Sequence, residues 1–151
     1  LHGQTHSDLT PWVEEFASQT VAQRVMPGAR IAIDRHRRAG DRLVLMSASV
    51  DLYVPKLGAL LGFDAVICTQ VQWFGEVLDG RLAGENCRGE EKSRQLAGLR
   101  ERHPGASIVA YGNSLSDVPH LLLSERGVFI NAPPRARLML ERQGLTCESW
   151  R

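Results

Sequence analysis

The stretch LVLMSAS, residues 43–49, decides the fold of this chain. Its apolar beginning predicts a short buried strand over residues 42–46, and the VDLYVPKLGALLG that follows predicts a helix over residues 51–61. Two hydroxyl residues, Ser47 and Ser49, stand between the strand and the helix. A hydroxyl at such a place either caps the next helix or binds a ligand such as a phosphate. The rest of the sequence must decide between these two interpretations.

Short apolar strands alternate with helices along the remainder of the chain. The strands are continuous rather than alternating in hydrophobicity, which is typical of strands buried on both faces. This order predicts an α/β fold, a Rossmann-like three-layer core with a mostly parallel sheet between helices. The segment from Val71 to Gly84 is predicted to be a hairpin that turns at Asp79-Gly80. The predicted strands lie at residues 42–46, 64–69, 107–111, 127–131 and, as an edge strand, 145–150.

The first 26 residues contain no predicted strand. Thr10-Pro11 is typical of a helix start, with a hydroxyl at the N-cap and proline at the first helical position. A second helix is predicted to begin at Pro27 and to end at Gly40. We therefore divide the chain into a helical segment, residues 1–26, and an α/β core, residues 27–151.

Composition excludes several classes of protein. The chain of 151 residues carries a net charge of +1, so its charge favours neither a nucleic-acid partner nor a membrane surface. No apolar stretch is long enough to span a membrane. Cys68, Cys87 and Cys147 are odd in number and form no CxxC pair, which favours a reducing cytoplasm over a disulfide framework or zinc site.

Polar residues follow the predicted strands where a parallel sheet binds its ligands. Ser47 and Ser49 follow one strand, Asn113 and Asp117 follow another, and Lys92 begins a helix. Hydroxyls, backbone amides and an ammonium group are the partners that a phosphate needs. Amide and carboxylate oxygens are the ligands that Mg²⁺ prefers. The sequence therefore predicts phosphoryl chemistry at this edge of the sheet, whereas His103 and His120 are expected at the surface or at helix ends rather than as acid–base groups.

These motifs together resemble the haloacid dehalogenase superfamily of phosphohydrolases. The resemblance is strongest to the phosphoserine phosphatase-like branch, subfamily IB, and covers residues 30–150. Ser47 in LVLMSAS is similar to the family's second motif, and Lys92 in GEEK to its third. YGNSLSD, residues 111–117, is similar to the fourth motif.

The resemblance implies a Mg²⁺-dependent phosphatase that hydrolyses a small phosphomonoester through a phosphoaspartyl intermediate. Ser47 would bond the transferring phosphoryl group, and Lys92 would neutralise charge on the intermediate. Substrate identity would be set by the family's helical cap, whose end resembles residues 1–26. The implied sites are Ser47 and Lys92 for catalysis, Ser47, Ala48, Ser49 and Lys92 for phosphate binding, and Asn113 and Asp117 for the metal.

Two departures from the family pattern bear on activity. Asn113 stands where the family usually has aspartate, so the metal site would carry one charge fewer. The family's first motif, Asp-x-Asp-x-Thr, which carries the nucleophile, does not occur in the 151 residues. We therefore expect an N-terminally incomplete chain, inactive alone, whose sheet has two unpaired strand edges until a missing segment or a second chain completes it.

Two alternatives remain open at this point. The chain could be a non-catalytic relative that binds a phosphorylated ligand or a protein partner, which Asn113 favours. It could also be an unrelated nucleotide-binding α/β domain. Such a domain would need a glycine-rich phosphate loop, GxGxxG or GxxxxGK[ST], after its first strand, and the sequence has neither.

Overall fold

A computed structural model describes residues 1–151 and confirms the α/β class with mostly parallel strand pairing. The chain forms two compact units, Leu1–Cys87 and Arg88–Arg151. No helix in it is both long and apolar enough to cross a membrane. The elements of the first unit are α1 His6–Arg24, α2 Pro27–Ala39, β1 Val44–Val50, α3 Val54–Leu61, β2 Ala65–Thr69, β3 Val71–Phe74 and β4 Val77–Leu82. Those of the second are α4 Glu90–Arg102, β5 Val109–Gly112, a 3₁₀ turn Leu115–Asp117, α5 Val118–Leu122, β6 Arg126–Ile130, α6 Pro134–Arg142 and β7 Thr146–Glu148.

In the first unit, β1 pairs with β2 in parallel. The pairing is regular as far as Ser47 opposite Cys68, then shifts so that Val50 lies opposite Thr69. The strand therefore extends beyond the predicted residues 42–46 and carries Ser47 within it.

Helix α3 packs closely on this strand pair. A Cβ atom added to Gly58 would overlap Cγ2 of Val66, so the glycine permits the approach of helix and strand. Pro55 lies in the first turn, as expected of a proline that leaves the helical ladder intact. The helix ends at Gly62, whose φ of 71° is the left-handed conformation typical of a glycine C-cap.

The predicted start of the first helix is wrong. Helix α1 begins at His6 rather than at Thr10-Pro11, and Pro11 lies inside it. A capping box decides the start, since the Thr5 hydroxyl accepts from the Asp8 amide at 3.2 Å and the Asp8 carboxylate accepts from the Thr5 amide at 2.9 Å. Pro11 is the sixth residue of α1 and has no amide to donate, so the helix forms with one intrahelical hydrogen bond fewer.

The predicted hairpin is confirmed, but its turn is not at Asp79-Gly80. Phe74 lies opposite Val77, so the turn falls at Gly75-Glu76, and Asp79 and Gly80 belong to β4. Gly75 has a φ of 57°, the left-handed conformation that such a tight turn needs. Asp-Gly fits many turns, and only the cross-strand pairing selects between the two glycines.

The segment before α1 runs antiparallel along β4. The Gly3 amide donates to the Leu78 carbonyl at 2.9 Å, and the Leu78 amide donates to the Gln4 carbonyl at 2.9 Å. His6 then stacks on Trp73 of β3, with ring centroids 3.6 Å apart. The start of α1 is thus held by the hairpin.

The second unit contains a three-stranded parallel sheet in the order β5-β6-β7. Val109 lies opposite Arg126, and Val128 lies opposite Thr146, which confirms the final edge strand. The core of this unit is built by four buried apolar side chains from α5, β6, α6 and the turn before β7. These are Leu121, Phe129, Leu140 and Leu145.

Candidate active site

Ser47, Ala48 and Ser49 form a local turn-like distortion at the end of β1. The Ser47 hydroxyl accepts a hydrogen bond from the Ser49 amide at 3.1 Å. All three residues are half-buried, which leaves them accessible from one side. Ser49 does not cap the next helix, because α3 starts at Val54 and has no side-chain cap. The interpretation of these hydroxyls as ligand-binding groups is therefore the one still open.

Sequence reasoning missed the residue that supports this distortion. Thr69, the last residue of β2, is 1% exposed. Its hydroxyl donates to the Ala48 carbonyl at 2.8 Å and accepts from the Cys87 amide at 3.0 Å. Nothing in the sequence marks a threonine at a strand end as unusual, because its partners come from distant segments.

In the second unit, Lys92 and Asp117 form an ion pair with an N···O distance of 2.7 Å. The two side chains are only 14% and 7% exposed. Lys92 lies in the first turn of α4, and Asp117 ends the 3₁₀ turn that follows β5. A lysine and a carboxylate this little exposed are each costly without the other, so the pair fixes the position of the ammonium group.

Asp117 also organises the turn after β5. Its second oxygen accepts from the amides of Asn113 and Ser114, at 3.2 Å and 3.1 Å. Burial acts against the charged carboxylate, but the hydrogen bond and charge of Lys92 and the two amides outweigh it, and the pKa of Asp117 is lowered. A Cβ atom added to Gly112 would lie 2.6 Å from Cβ of Asp117, so only glycine allows this packing.

The metal ligands expected from the sequence fit part of a Mg²⁺ shell. Asn113 is exposed, so its amide oxygen is accessible to a cation. Asp117 is nearby but has one oxygen bonded to Lys92 and the other to backbone amides. No three residues of the types His, Cys, Asp and Glu in the chain lie together as a metal cluster. Asn113 therefore offers an accessible amide oxygen in this turn, next to the carboxylate of Asp117.

His120 lies in the last turn of α5, one of the expected helix-end positions, but it is buried rather than at the surface. The residue is 4% exposed, and its Nδ1 atom has no hydrogen-bond partner. Burial and the charge of Lys92 lower the pKa of His120, and the charge of Asp117 opposes them. The sequence placed His120 in a short helix, but only the packing of α5 shows which face is covered.

The candidate residues thus form two groups, each within its own unit. Ser47, Ala48 and Ser49 lie together at the end of β1, and Lys92, Asn113 and Asp117 lie together after β5. The first group offers a hydroxyl and amides, and the second offers a fixed ammonium group and an accessible amide oxygen. These are the groups that bind phosphate and a divalent cation.

Comparisons with known proteins agree with this chemistry. The family model described as haloacid dehalogenase-like hydrolase matches residues 3–122. Phosphoserine phosphatase SerB1 of Mycobacterium tuberculosis H37Rv is 26% identical over 154 residues, covering 100% of this chain and 50% of the relative. The chain spans about half the length of the curated relatives it matches.

Solved structures show the same fold. A protein of unknown function from Bordetella pertussis Tohama I superimposes with a TM-score of 0.80 at 23% identity, covering 95% of this chain and 67% of that one. A phosphoserine phosphatase holding an analogue of its phosphoaspartyl intermediate superimposes with a TM-score of 0.69 at 18% identity, covering 97% and 66%. The family match spans most of the chain and includes Ser47, Lys92 and Asp117. The chain belongs to the haloacid dehalogenase-like hydrolase family.

Proposed function

We propose that the protein is a Mg²⁺-dependent phosphatase that hydrolyses a small phosphomonoester through a phosphoaspartyl intermediate. The observation that carries this proposal is the little-exposed pair of Lys92 and Asp117, 2.7 Å apart. A lysine held by a carboxylate at a helix start is suited to stabilising a phosphoryl group during transfer. The relative named phosphoserine phosphatase and the related structure with a phosphoaspartyl analogue support the same reaction class.

Each residue has a defined role in this proposal. The Ser47 hydroxyl and the Ala48 amide bind phosphoryl oxygens and orient the phosphorus atom, and the Ser49 amide, which donates to the Ser47 hydroxyl at 3.1 Å, positions that hydroxyl. The Lys92 ammonium group neutralises charge that develops on the phosphoryl oxygens, and Asp117 holds it in place. Mg²⁺, when bound, would neutralise further negative charge on the substrate, with Asn113 and Asp117 as the residues that hold it.

The nucleophile is proposed to come from outside residues 1–151. No Asp-x-Asp motif occurs in the chain. β1 pairs with a strand on one side only, and so does β5. An additional strand, from a preceding segment or a second chain, would supply the aspartate. Residues 1–26 are proposed to be the end of the helical cap.

A second candidate function is a non-catalytic module that binds a phosphorylated ligand or a protein partner. This function is favoured by the bonding and charge of the two residues proposed to hold the metal, Asp117 and Asn113. Both oxygens of Asp117 are already engaged, and Asn113 brings no charge. A module of this kind would bind phosphate through Ser47 and Lys92 without hydrolysing an ester.

The two functions are separated by assaying the protein expressed from its whole reading frame. We expect hydrolysis of p-nitrophenyl phosphate that requires Mg²⁺ and is abolished in Lys92→Ala. Lys56→Ala is the matched control, because Lys56 is the chain's other lysine and pairs with the exposed Glu14. Full activity in Lys92→Ala would show that the assignment of the site is wrong. Phosphate binding without hydrolysis by the wild-type protein would favour the non-catalytic module.

A further inference from the structure

The buried hydroxyl of Thr69, in the first unit, makes several hydrogen bonds but takes no part in the proposed chemistry. We propose that Thr69 is a positioning residue for phosphate binding, which holds the Ser47–Ser49 segment in its binding conformation. This inference rests on the proposed phosphatase function and adds a residue to it. Its basis is the set of bonds that the Thr69 side chain and backbone make on either side of that segment.

The strand ladder cannot hold this segment by itself. The β1–β2 pairing runs from Val44 to Ser47 and resumes only at Val50 opposite Thr69. Ala48 and Ser49 therefore have no partner residue on β2. Their backbone groups need other partners, because an unpaired buried backbone group is costly. This irregularity is a β-bulge, and β-bulges often orient a side chain beside an active site.

Thr69 supplies a partner for Ala48. Its hydroxyl donates to the Ala48 carbonyl at 2.8 Å, directly between the two serines. Its own carbonyl accepts from the Asp51 amide at 2.9 Å, just beyond them. The segment from Ala48 to Asp51 is thus fixed at both ends by one residue. With the bulge held in this way, the Ser47 hydroxyl stays within reach of the Ser49 amide, 3.1 Å away.

The same hydroxyl also fixes the loop that follows the hairpin. It accepts from the Cys87 amide at 3.0 Å, and the Asn86 side-chain oxygen lies 3.2 Å away as a second acceptor for its proton. A hydroxyl has one proton and two lone pairs, so Thr69 uses both its donor and its acceptor capacity. Removing it would leave both the Ala48 carbonyl and the Cys87 amide without this partner.

The test compares three variants in the protein expressed from its whole reading frame. Thr69→Val keeps the shape and removes the hydroxyl, and Thr69→Ser restores a hydroxyl. Ser124→Ala is the matched control, because the Ser124 hydroxyl donates to the Leu121 carbonyl at 2.6 Å and belongs to neither group of candidate residues. Thr69→Ala replaces Thr69→Val should the valine variant fail to fold. The measurements are KM and kcat for p-nitrophenyl phosphate, the inhibition constant for inorganic phosphate, and Tm.

We expect Thr69→Val to raise both KM and the inhibition constant for phosphate about tenfold. The reason is that the variant loses the hydrogen bond from the Thr69 hydroxyl to the Ala48 carbonyl, which holds the phosphate-binding segment in place. Thr69→Ser should return both constants to within about threefold of the wild type, and Ser124→Ala should lower Tm without changing either constant. An active Thr69→Val variant with unchanged constants, whatever its Tm, would overturn the inference and leave the proposed function intact. A wild-type protein with no phosphatase activity would instead refute the proposed function.

Discussion

Asp117 shows at the scale of one residue how the site and the stability of the second unit are linked. Its pKa is lowered because Lys92 and two amides outweigh the effect of burial. The ionised form is therefore favoured in the folded state, and this contribution to stability is present above the carboxyl's ordinary pKa and lost as the pH falls through the folded-state pKa. We expect Asp117→Asn to lower the free energy of unfolding at pH 7 by about 2 kcal/mol.

The same substitution should also change the acid response. Because the carboxamide that replaces the carboxylate cannot be protonated in this range, the urea midpoint of the variant should fall less than that of the wild type between about pH 5 and pH 2. Urea unfolding followed by circular dichroism at several pH values measures both effects. Parallel pH profiles for the two proteins would show that the carboxylate is not selectively stabilised by folding.

His120 gives a second prediction at this scale. Its pKa is lowered by burial and by Lys92, against the effect of Asp117. The unfolded chain therefore binds this proton more readily than the folded one, and stability falls as the pH drops below the ordinary histidine pKa. We expect His120→Leu to lose less stability than the wild type between about pH 7.5 and pH 5.5 in urea unfolding. The control is His103→Gln, at an exposed position. Its stability should change with pH in the same way as that of the wild type.

Two glycines show at the scale of an element that helix propensity and packing act in opposite directions. Gly58→Ala in α3 would place a Cβ atom in overlap with Val66, so we expect a loss of about 2 kcal/mol in unfolding free energy. Gly98→Ala in α4 meets only the flexible end of Arg102, at 3.2 Å, and should gain about 0.5 kcal/mol from helix propensity. Chemical denaturation of the two variants gives the sign of each effect, and equal signs would contradict this account.

Elements governed by local chemistry are predictable from the sequence. Pro27, Gly40 and Gly62 mark real helix ends, since proline and glycine restrict or free the backbone wherever they occur. The hairpin turn and the start of α1 are misplaced by sequence reasoning because two local patterns compete, and pairing with β4 and the capping box decide between them. The pairing is a contact between two strands, whereas the capping box of Thr5 and Asp8 is a local pattern that prevails over Thr10-Pro11.

The candidate site likewise contains residues that the sequence reveals and one that it does not. Ser47, Lys92 and Asp117 follow a pattern of residue types at the ends of elements, so the sequence reveals them. The structure shows a direct Lys92–Asp117 contact, whereas the roles of these residues in catalysis stay predictions. Thr69 could not be found, because its importance depends on a register shift between two strands and on a loop eighteen positions further along the chain.

At the scale of the whole molecule, unpaired strand edges should govern behaviour in solution. β1 pairs only with β2, and β5 pairs only with β6, so each is an edge strand of its own sheet. Apolar edge strands of this kind associate with other chains. We expect residues 1–151 expressed alone to form oligomers or aggregates, measured by size-exclusion chromatography with light scattering. A stable monomer at micromolar concentration would contradict this expectation.

The pairing of the N-terminal segment with β4 has a consequence for local opening. The Leu78 amide is hydrogen-bonded to Gln4, so it is protected from solvent only while the first residues of the chain stay attached. Amides that are exposed by one cooperative opening exchange with the same free energy. Deuterium exchange at Leu78 should therefore match that of the first turn of α1 and be faster than that of β2. Detachment of the helix and fraying of the hairpin would then be a single event, observable at one backbone amide.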